Sequence, residues 1–198
     1  MFGRMVTRNT RAGNRYLMSS PDKRTLRAAA RAARDALGPH RPPIPVQTPF
    51  LALLRPGMII ASYIPLGSEA DPSPLSRAGA DAGCTIALPH VIDRATPLRF
   101  LLWETKLALE TGPFGLQQPA AEARELAPNL ILTPLVAFDR TLARIGQGAG
   151  HYDRAFAQFP DAHRIGIAYG VQQVAHVPAD PWDIPLHAIA TEKEWITP

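Results

Sequence analysis

The sequence is poor in cysteine and lysine and has no long apolar run. Cys84 is its only cysteine. That excludes an internal disulfide framework and a cysteine-rich zinc site, and it suits a reducing compartment, so a cytoplasmic location is expected. No stretch of about 18 uncharged apolar residues is available to span a bilayer. The six histidines, His40, His90, His151, His163, His176 and His187, show no paired spacing of the kind that binds zinc on one helix. No G-x-S-x-G elbow marks a serine hydrolase, and no repeat of solenoid length is visible. Lysine is confined to Lys23, Lys106 and Lys193.

Acidic residues are missing from the first seventeen positions, MFGRMVTRNTRAGNRYL. This Arg-rich stretch lacks the apolar core of a secretory signal. It mimics an organellar transit peptide; the alternative, preferred here, is a disordered leader over residues 1–20, or a true start at Met18. Residues 1–41 hold ten Lys and Arg against two Asp, a net of +8, and the rest of the chain is −4, giving +4 overall. The basic character belongs to one end. A uniformly basic nucleic-acid binder would look different, so neither a nucleic acid nor a membrane is expected as a partner. With 46% hydrophobic and 19% charged residues, residues 21–198 suit one globular domain.

Ser20-Pro21-Asp22 reads as a helix start, with a capping hydroxyl, Pro at the first helical position and an acid in the first turn. The helix runs to about Leu37, before Gly38-Pro39. Leu26, Ala29, Ala30, Ala33 and Leu37 share one face; Lys23, Arg27, Arg31 and Arg34 share another. Five prolines between 38 and 49 read as an extended connector. Apolar runs at 58–66, 84–91, 130–138 and 164–170 read as strands, with weaker candidates at 98–103 and 188–191. Helices are expected near 72–82 and 150–159. Buried strands alternating with helices imply an α/β fold with a mostly parallel sheet, whose ligands gather beyond the carboxyl ends of the strands.

Two segments stand at such positions. In 130–159 a strand leads to Gly146, Gly148 and Gly150, then to a helix. Glycines so spaced turn backbone N–H groups toward one point, and the helix start adds more, so the segment forms a phosphate cradle or else an ordinary flexible loop. It is neither a dinucleotide fingerprint nor a P-loop. Arg144 and Arg154 flank it as phosphate partners or as surface arginines. Asp153 either stabilises the helix start or binds Mg²⁺; Tyr152 either packs in the core or faces a cleft. In YIPLGSEADPSPL (63–75) the strand ends at Leu66, and Glu69 lies beyond it, able to hold an amide-like edge of a ligand or simply exposed on a loop.

Taken in order, these segments resemble the 5-formyltetrahydrofolate cyclo-ligase (methenyltetrahydrofolate synthetase) family. KRTLR (23–27) is similar to its nucleotide-contact segment, and YIPLGSE (63–69) to its folate-contact turn. ALPHV (87–91), FGLQQP (114–119) and TPLVAFD (133–139) match intervening landmarks. RIGQGAGHYDR (144–154) resembles its signature, and DPWDIPLHAIATEKE (180–194) its C-terminal aspartate segment. The resemblance implies a three-layer α/β/α fold with a mostly parallel sheet, of the sugar-phosphate isomerase and CoA-transferase type. It implies ATP, Mg²⁺ and 5-formyltetrahydrofolate as ligands, in a monomer or weak homodimer.

Carried over by position, Lys23, Arg24, Thr25, Leu26 and Arg27 would contact ATP. The nucleotide loop would be Arg144, Ile145, Gly146, Gln147, Gly148, Ala149, Gly150, His151 and Tyr152. Lys23, Arg144 and Tyr152 would act in catalysis. Ile64, Glu69, Gln147 and His151 would contact the folate, and Asp153 and Asp183 would bind Mg²⁺. The implied reaction phosphorylates the formyl oxygen; N10 then attacks, and phosphate leaves to give 5,10-methenyltetrahydrofolate. The chain departs from the pattern at Gln147, Ala149, His151 and Trp182, which motivates the alternative of a non-catalytic nucleotide- or folate-binding relative. An RNA-binding protein and a sugar-phosphate isomerase on the same fold are the other rivals.

Overall fold

The structure, a computed structural model, describes residues 22–198. The expected leader and the Ser20-Pro21 start signal lie outside the described residues. Helix α1 spans Lys23–Asp35, and Asp22 caps it from an extended backbone. The Asp22 carboxylate accepts from the Thr25 N–H at 2.7 Å, satisfying one of the free donors of the first turn. Asp22 therefore takes the role expected of Ser20. The buried face of α1 is Leu26, Ala30 and Arg34. This is narrower than the alanine face read from the sequence: Ala29 is exposed, and Arg34, read on the basic face, is buried.

The proline-rich connector is followed by a short helix, α2 (Thr48–Leu53), with a proline in its first turn. The connector reading concealed it, although Pro is well suited to that position. Next come β1 (Ile59–Ala61), α3 (Ser73–Asp81), β2 (Thr85–His90) and β3 (Arg99–Leu102), then the small pair β4 (Glu110–Thr111) and β5 (Gln117–Gln118). They are followed by β6 (Leu130–Pro134), β7 (Ala137–Phe138), β8 (Arg144–Ile145), α4 (His151–Gln158), β9 (His163–Ile167), β10 (Ala188–Ala190) and β11 (Trp195–Ile196).

Seven strands form one sheet in the order β11-β10-β9-β6-β1-β2-β3. The five central strands are mutually parallel, and β3 and β11 close the edges antiparallel. Register explains how the apolar runs serve two faces. Leu130 pairs with Ile60, and Leu132 with Ile165. Leu130, Leu132, Ile165 and Ile167 pack with Phe50 of α2 and Leu75 of α3. Ile131, one residue along, points to the other face, where it joins Phe100, Ile189 and Phe156 of α4. Alternate residues of a strand face opposite ways, so continuous hydrophobicity is what a sheet covered on both sides requires. The result is the expected three-layer α/β/α arrangement with a mostly parallel sheet.

Two expected strands are shorter than the apolar runs that carry them. The run 58–66 leaves the sheet after Ala61, and Tyr63, Ile64 and Leu66 line the cleft described below. The run 130–138 breaks after Pro134, which has no N–H to donate. The chain then forms a separate hairpin, with Ala137 opposite Ile145 and Phe138 opposite Arg144. Buried Asp139 closes this hairpin: its carboxylate accepts from the Thr141 N–H (2.8 Å) and hydroxyl (2.6 Å), and from the Val177 N–H (2.8 Å). Helix α1 packs its Leu26–Ala30 face on Val136, Ala137, Ile145 and Val177. The hairpin therefore sits between α1 and the sheet and aims the glycine segment at the carboxyl ends of the parallel strands.

Candidate active site

Strand β8 delivers the chain into Gly146–Gly150, and α4 begins at His151. Gly148 has φ 106 and Gly150 φ 68, a region in which an L side chain is strained. Gly150 caps α4 in that left-handed conformation. The turn therefore depends on glycine at 148 and 150, and it leaves the first N–H groups of α4 open toward the cleft.

Three cations of α1 face this turn at helical spacing. Arg27 Nε donates to the Gly146 carbonyl at 2.9 Å. Lys23 Nζ donates to Asp180 at 2.6 Å and to Asp183 at 2.5 Å. Burial alone would lower the Lys23 pKa; the two aspartate hydrogen bonds outweigh it and raise it. Burial likewise acts to raise the Asp183 pKa, but the Asp180 N–H and Lys23 hold it down. Arg31 donates to Gln147 Oε1. Arg31 and Asp180 were not among the expected site residues. The four-residue spacing from Lys23 and Arg27 was a usable signal for Arg31; Asp180 had only its place three residues before Asp183.

Arg144 is buried and does not project freely into the cleft. Its Nη2 donates to Asp153 Oδ1 at 2.9 Å and its Nη1 to the Ile184 carbonyl at 2.9 Å. Its guanidinium lies 4.6 Å from the centre of the Phe156 ring, a cation–π geometry. Asp153 Oδ1 also accepts from the Ile184 N–H at 3.4 Å. Arg144 thus joins the first turn of α4 to the 180–184 loop, and Asp153 touches the loop that carries Asp183.

On the opposite wall, Glu69 Oε2 accepts from the Leu66 N–H at 3.0 Å, and Oε1 accepts from Gln147 Nε2 at 3.1 Å. Glu69 is 9% exposed, so it is not a free loop acid. Ile64 lines the same cleft. Tyr152 does too, half-buried, its ring 6.1 Å from that of Phe156; burial raises its hydroxyl pKa. His151 Nε2 lies 3.0 Å from the Asp93 carbonyl oxygen, a contact that requires the proton on Nε2. Burial lowers the His151 pKa. Arg154 donates to the Ala149 and Arg94 carbonyls at 3.0 and 2.7 Å. Together, His151 and Arg154 tie the 93–94 loop to the glycine turn.

These groups border one cavity of about 1080 Å³, at the upper end of ordinary ligand pockets. It brings together Lys23, Arg27, Arg144, Ile145, every residue of Gly146–Asp153, Ile64, Glu69 and Asp183. It does not include Arg24, Thr25 or Leu26. Arg24 and Thr25 are exposed, and Leu26 packs against the β7–β8 hairpin; a helix presents only every third or fourth residue to one side. The far wall, with Arg94, Phe114 and Leu116, had no motif to announce it.

Among the described residues, no group of three or more His, Cys, Asp or Glu is placed to hold a metal. Mg²⁺ needs only one or two carboxylates when waters and phosphate oxygens complete its shell. Asp153 and Asp183, which line the same cavity and are each engaged by a cation, fit that lesser demand.

Comparison with known proteins identifies relatives of the chain as a whole. The model of the 5-formyltetrahydrofolate cyclo-ligase family matches residues 19–192. The 5-formyltetrahydrofolate cyclo-ligase of Escherichia coli strain K12 is 32% identical over 145 residues, which is 69% of this chain and 79% of that protein. That of Mycolicibacterium smegmatis is 30% identical over 149 residues, 71% of this chain and 76% of that one. Among solved structures, the 5,10-methenyltetrahydrofolate synthetase of Mycoplasma pneumoniae is similar at a TM-score of 0.62 and 25% identity, covering 85% of this chain and 98% of its own. Since the family match spans nearly all of the described residues, glycine turn and aspartate loop included, the chain belongs to the 5-formyltetrahydrofolate cyclo-ligase family.

Proposed function

We propose that the protein converts 5-formyltetrahydrofolate and ATP to 5,10-methenyltetrahydrofolate, ADP and phosphate. The observation that carries this reading is the single cavity shared by the α1 cations, the glycine turn, the Asp153–Asp183 pair and Glu69. One wall suits a polyphosphate, and the other suits a flat heterocycle with an amide-like edge.

An N-formyl oxygen is a poor leaving group until it carries a phosphoryl group. Phosphoryl transfer depends on positioning and charge neutralisation more than on covalent help from the protein. Lys23 would exchange Asp180 and Asp183 for phosphate oxygens, and the N–H groups of Gly146–Gly150 would close around the same anion. Arg27, held to the Gly146 carbonyl, would keep the turn open and supply a second cation. Arg144 would hold Asp153 toward the phosphates. Asp153 and Asp183 are the residues that would hold Mg²⁺, which when bound neutralises phosphate charge. Glu69 and Ile64 would orient the pterin, with Gln147 and His151 at the junction of the two ligands and Tyr152 beside the formyl group. Ring closure by N10 is intramolecular and needs proximity alone.

The cytoplasmic location belongs to the same proposal and is supported by Cys84, a buried free thiol. No helix among the described residues is long and apolar enough to cross a membrane.

The test is the absorbance of the methenyl product when purified protein receives ATP, Mg²⁺ and 5-formyltetrahydrofolate, with phosphate release measured in parallel. One phosphate per methenyl group is expected, and no product without ATP. ATP binding without product would refute catalysis and favour a non-catalytic relative.

A further inference from the structure

Arg34 takes no part in the chemistry above, yet it is one of two buried arginines among the described residues, at 5% exposure. The other, Arg144, has a carboxylate partner. Among the described residues Arg34 has none within 4.0 Å, and its Nη1 is buried without any hydrogen-bond partner. Its one side-chain hydrogen bond runs from Nε to the Ser68 hydroxyl oxygen, at 2.9 Å. The Ser68 hydroxyl donates in turn to Asp35. A guanidinium so placed is costly for the fold, and the contact it makes is with the turn that carries Glu69.

That turn is short and internally bonded. The Glu69 N–H donates to the Leu66 carbonyl at 3.2 Å, and the Glu69 carboxylate accepts from the Leu66 N–H. Just beyond it, the Ala70 carbonyl accepts from the Tyr63 hydroxyl at 2.6 Å, which anchors the far side of the turn. Helix α1 holds the turn itself at two further points. Arg34 and Asp35 hold Ser68 between them, and Arg31 reaches the Glu69 carboxylate through Gln147. The second link is exposed at Gln147, whereas the Arg34–Ser68 link is buried.

We propose that Arg34, acting through the Ser68 hydroxyl, is a positioning residue that sets the Glu69 carboxylate for the amide-like edge of the pterin. The proposal rests on the assignment of Glu69 to the folate. It makes α1 a two-ended device: Lys23 and Arg27 meet the phosphates at its start, and Arg34 holds the pterin-side turn near its end. A side chain read from sequence only as one of the basic face of α1 is then a determinant of substrate affinity.

The experiment measures binding of 5-formyltetrahydrofolate to the full chain by calorimetry without ATP, together with steady-state KM values for both substrates. Ser68→Ala removes only a hydroxyl. It is expected to weaken folate binding and raise the folate KM about tenfold, the scale of one charge-assisted hydrogen bond. The KM for ATP stays close to wild type, while the thermal midpoint falls by roughly 2–6 °C because the buried Arg34 Nε loses its partner. Ser68→Thr, which keeps the hydroxyl, restores binding. Arg34→Lys weakens folate binding to a similar degree, and adding Ser68→Ala to it brings little further loss, because both act through one link. Unchanged folate binding in Ser68→Ala would overturn the proposal. So would a parallel rise in both KM values, which is the signature of a merely structural role. A wild-type chain that binds no 5-formyltetrahydrofolate would instead sink the functional reading, and this inference with it.

Discussion

Replacing Arg144 by methionine should destabilise the protein by about 3 kcal/mol, the lower end of the cost of breaking a buried ion pair by removing one partner. The lower end applies because the Asp153 side chain is 25% exposed while that of Arg144 is 5% exposed, so water offsets part of the loss at the aspartate. Three interactions disappear together: the 2.9 Å bond to Asp153, the 2.9 Å bond to the Ile184 carbonyl, and the guanidinium over Phe156. Methionine retains much of the apolar contact with the ring. For a domain of this size, about 3 kcal/mol corresponds to a fall in thermal midpoint of roughly 6–12 °C. Urea denaturation and thermal melting at neutral pH measure it directly. The double variant Arg144→Met with Asp153→Leu should recover part of the loss, since no unpaired carboxylate is left behind. The reasoning fails if the single variant loses less than about 1 kcal/mol, or if the double variant is the less stable of the two.

Asp153→Asn keeps an oxygen toward Arg144 but removes the charge a divalent cation requires. It should abolish most turnover at ordinary Mg²⁺ while shifting the thermal midpoint only slightly, and near-normal turnover would remove Asp153 from the metal site. Lys23→Met breaks two ion pairs in which the lysine is 23% exposed and the aspartates 44% and 19% exposed, so it should cost about 1–2 kcal/mol, less than loss of the more deeply buried Arg144. Its KM for ATP should nevertheless rise about tenfold or more, the loss of one charge-assisted contact, with the folate KM little changed. Because the Lys23 pKa is raised above the ordinary 10.5, this lysine stays charged throughout the neutral range, and its contribution is lost only in strong alkali. Asp139 carries the opposite dependence. Burial acts to raise its pKa, but the hydrogen bonds from Thr141, Val177 and Ala143 outweigh it and hold the carboxyl below the ordinary 3.8. Its contribution is therefore complete above that value and is lost as pH falls through the depressed one. Asp139→Ala should cost about 3 kcal/mol at neutral pH and flatten the acid side of the stability curve, as measured by urea denaturation at a series of pH values.

The parallel core was legible because its signal is local. The apolar runs at 130–138 and 164–170 read as buried strands, and the structure keeps their first parts, Leu130–Pro134 and His163–Ile167, in the sheet. The glycine turn was legible for a similar reason, since backbone geometry at Gly148 and Gly150 excludes other side chains. The shorter pieces were not legible. Strand β11, the β7–β8 hairpin and helix α2 have two to six residues each, and what holds them is contact with distant segments. Trp195, for example, packs 6.5 Å from Phe50.

Alone, the sequence settled the alternation of strand and helix, the glycine-spaced turn, and the order of motifs that marks the family, because each depends on neighbours a few residues apart. Tertiary structure decided which side chains share the cleft. It put Arg24 and Thr25 outside, brought Arg31 and Asp180 in, and buried Arg34 of the basic face against Ser68. The physical reason is that a helix shows the same basic spacing whichever way it is rotated. Only the fit of Leu26 and Ala30 against Val136 and Ile145 fixes which cations meet a ligand and which are sealed beneath it.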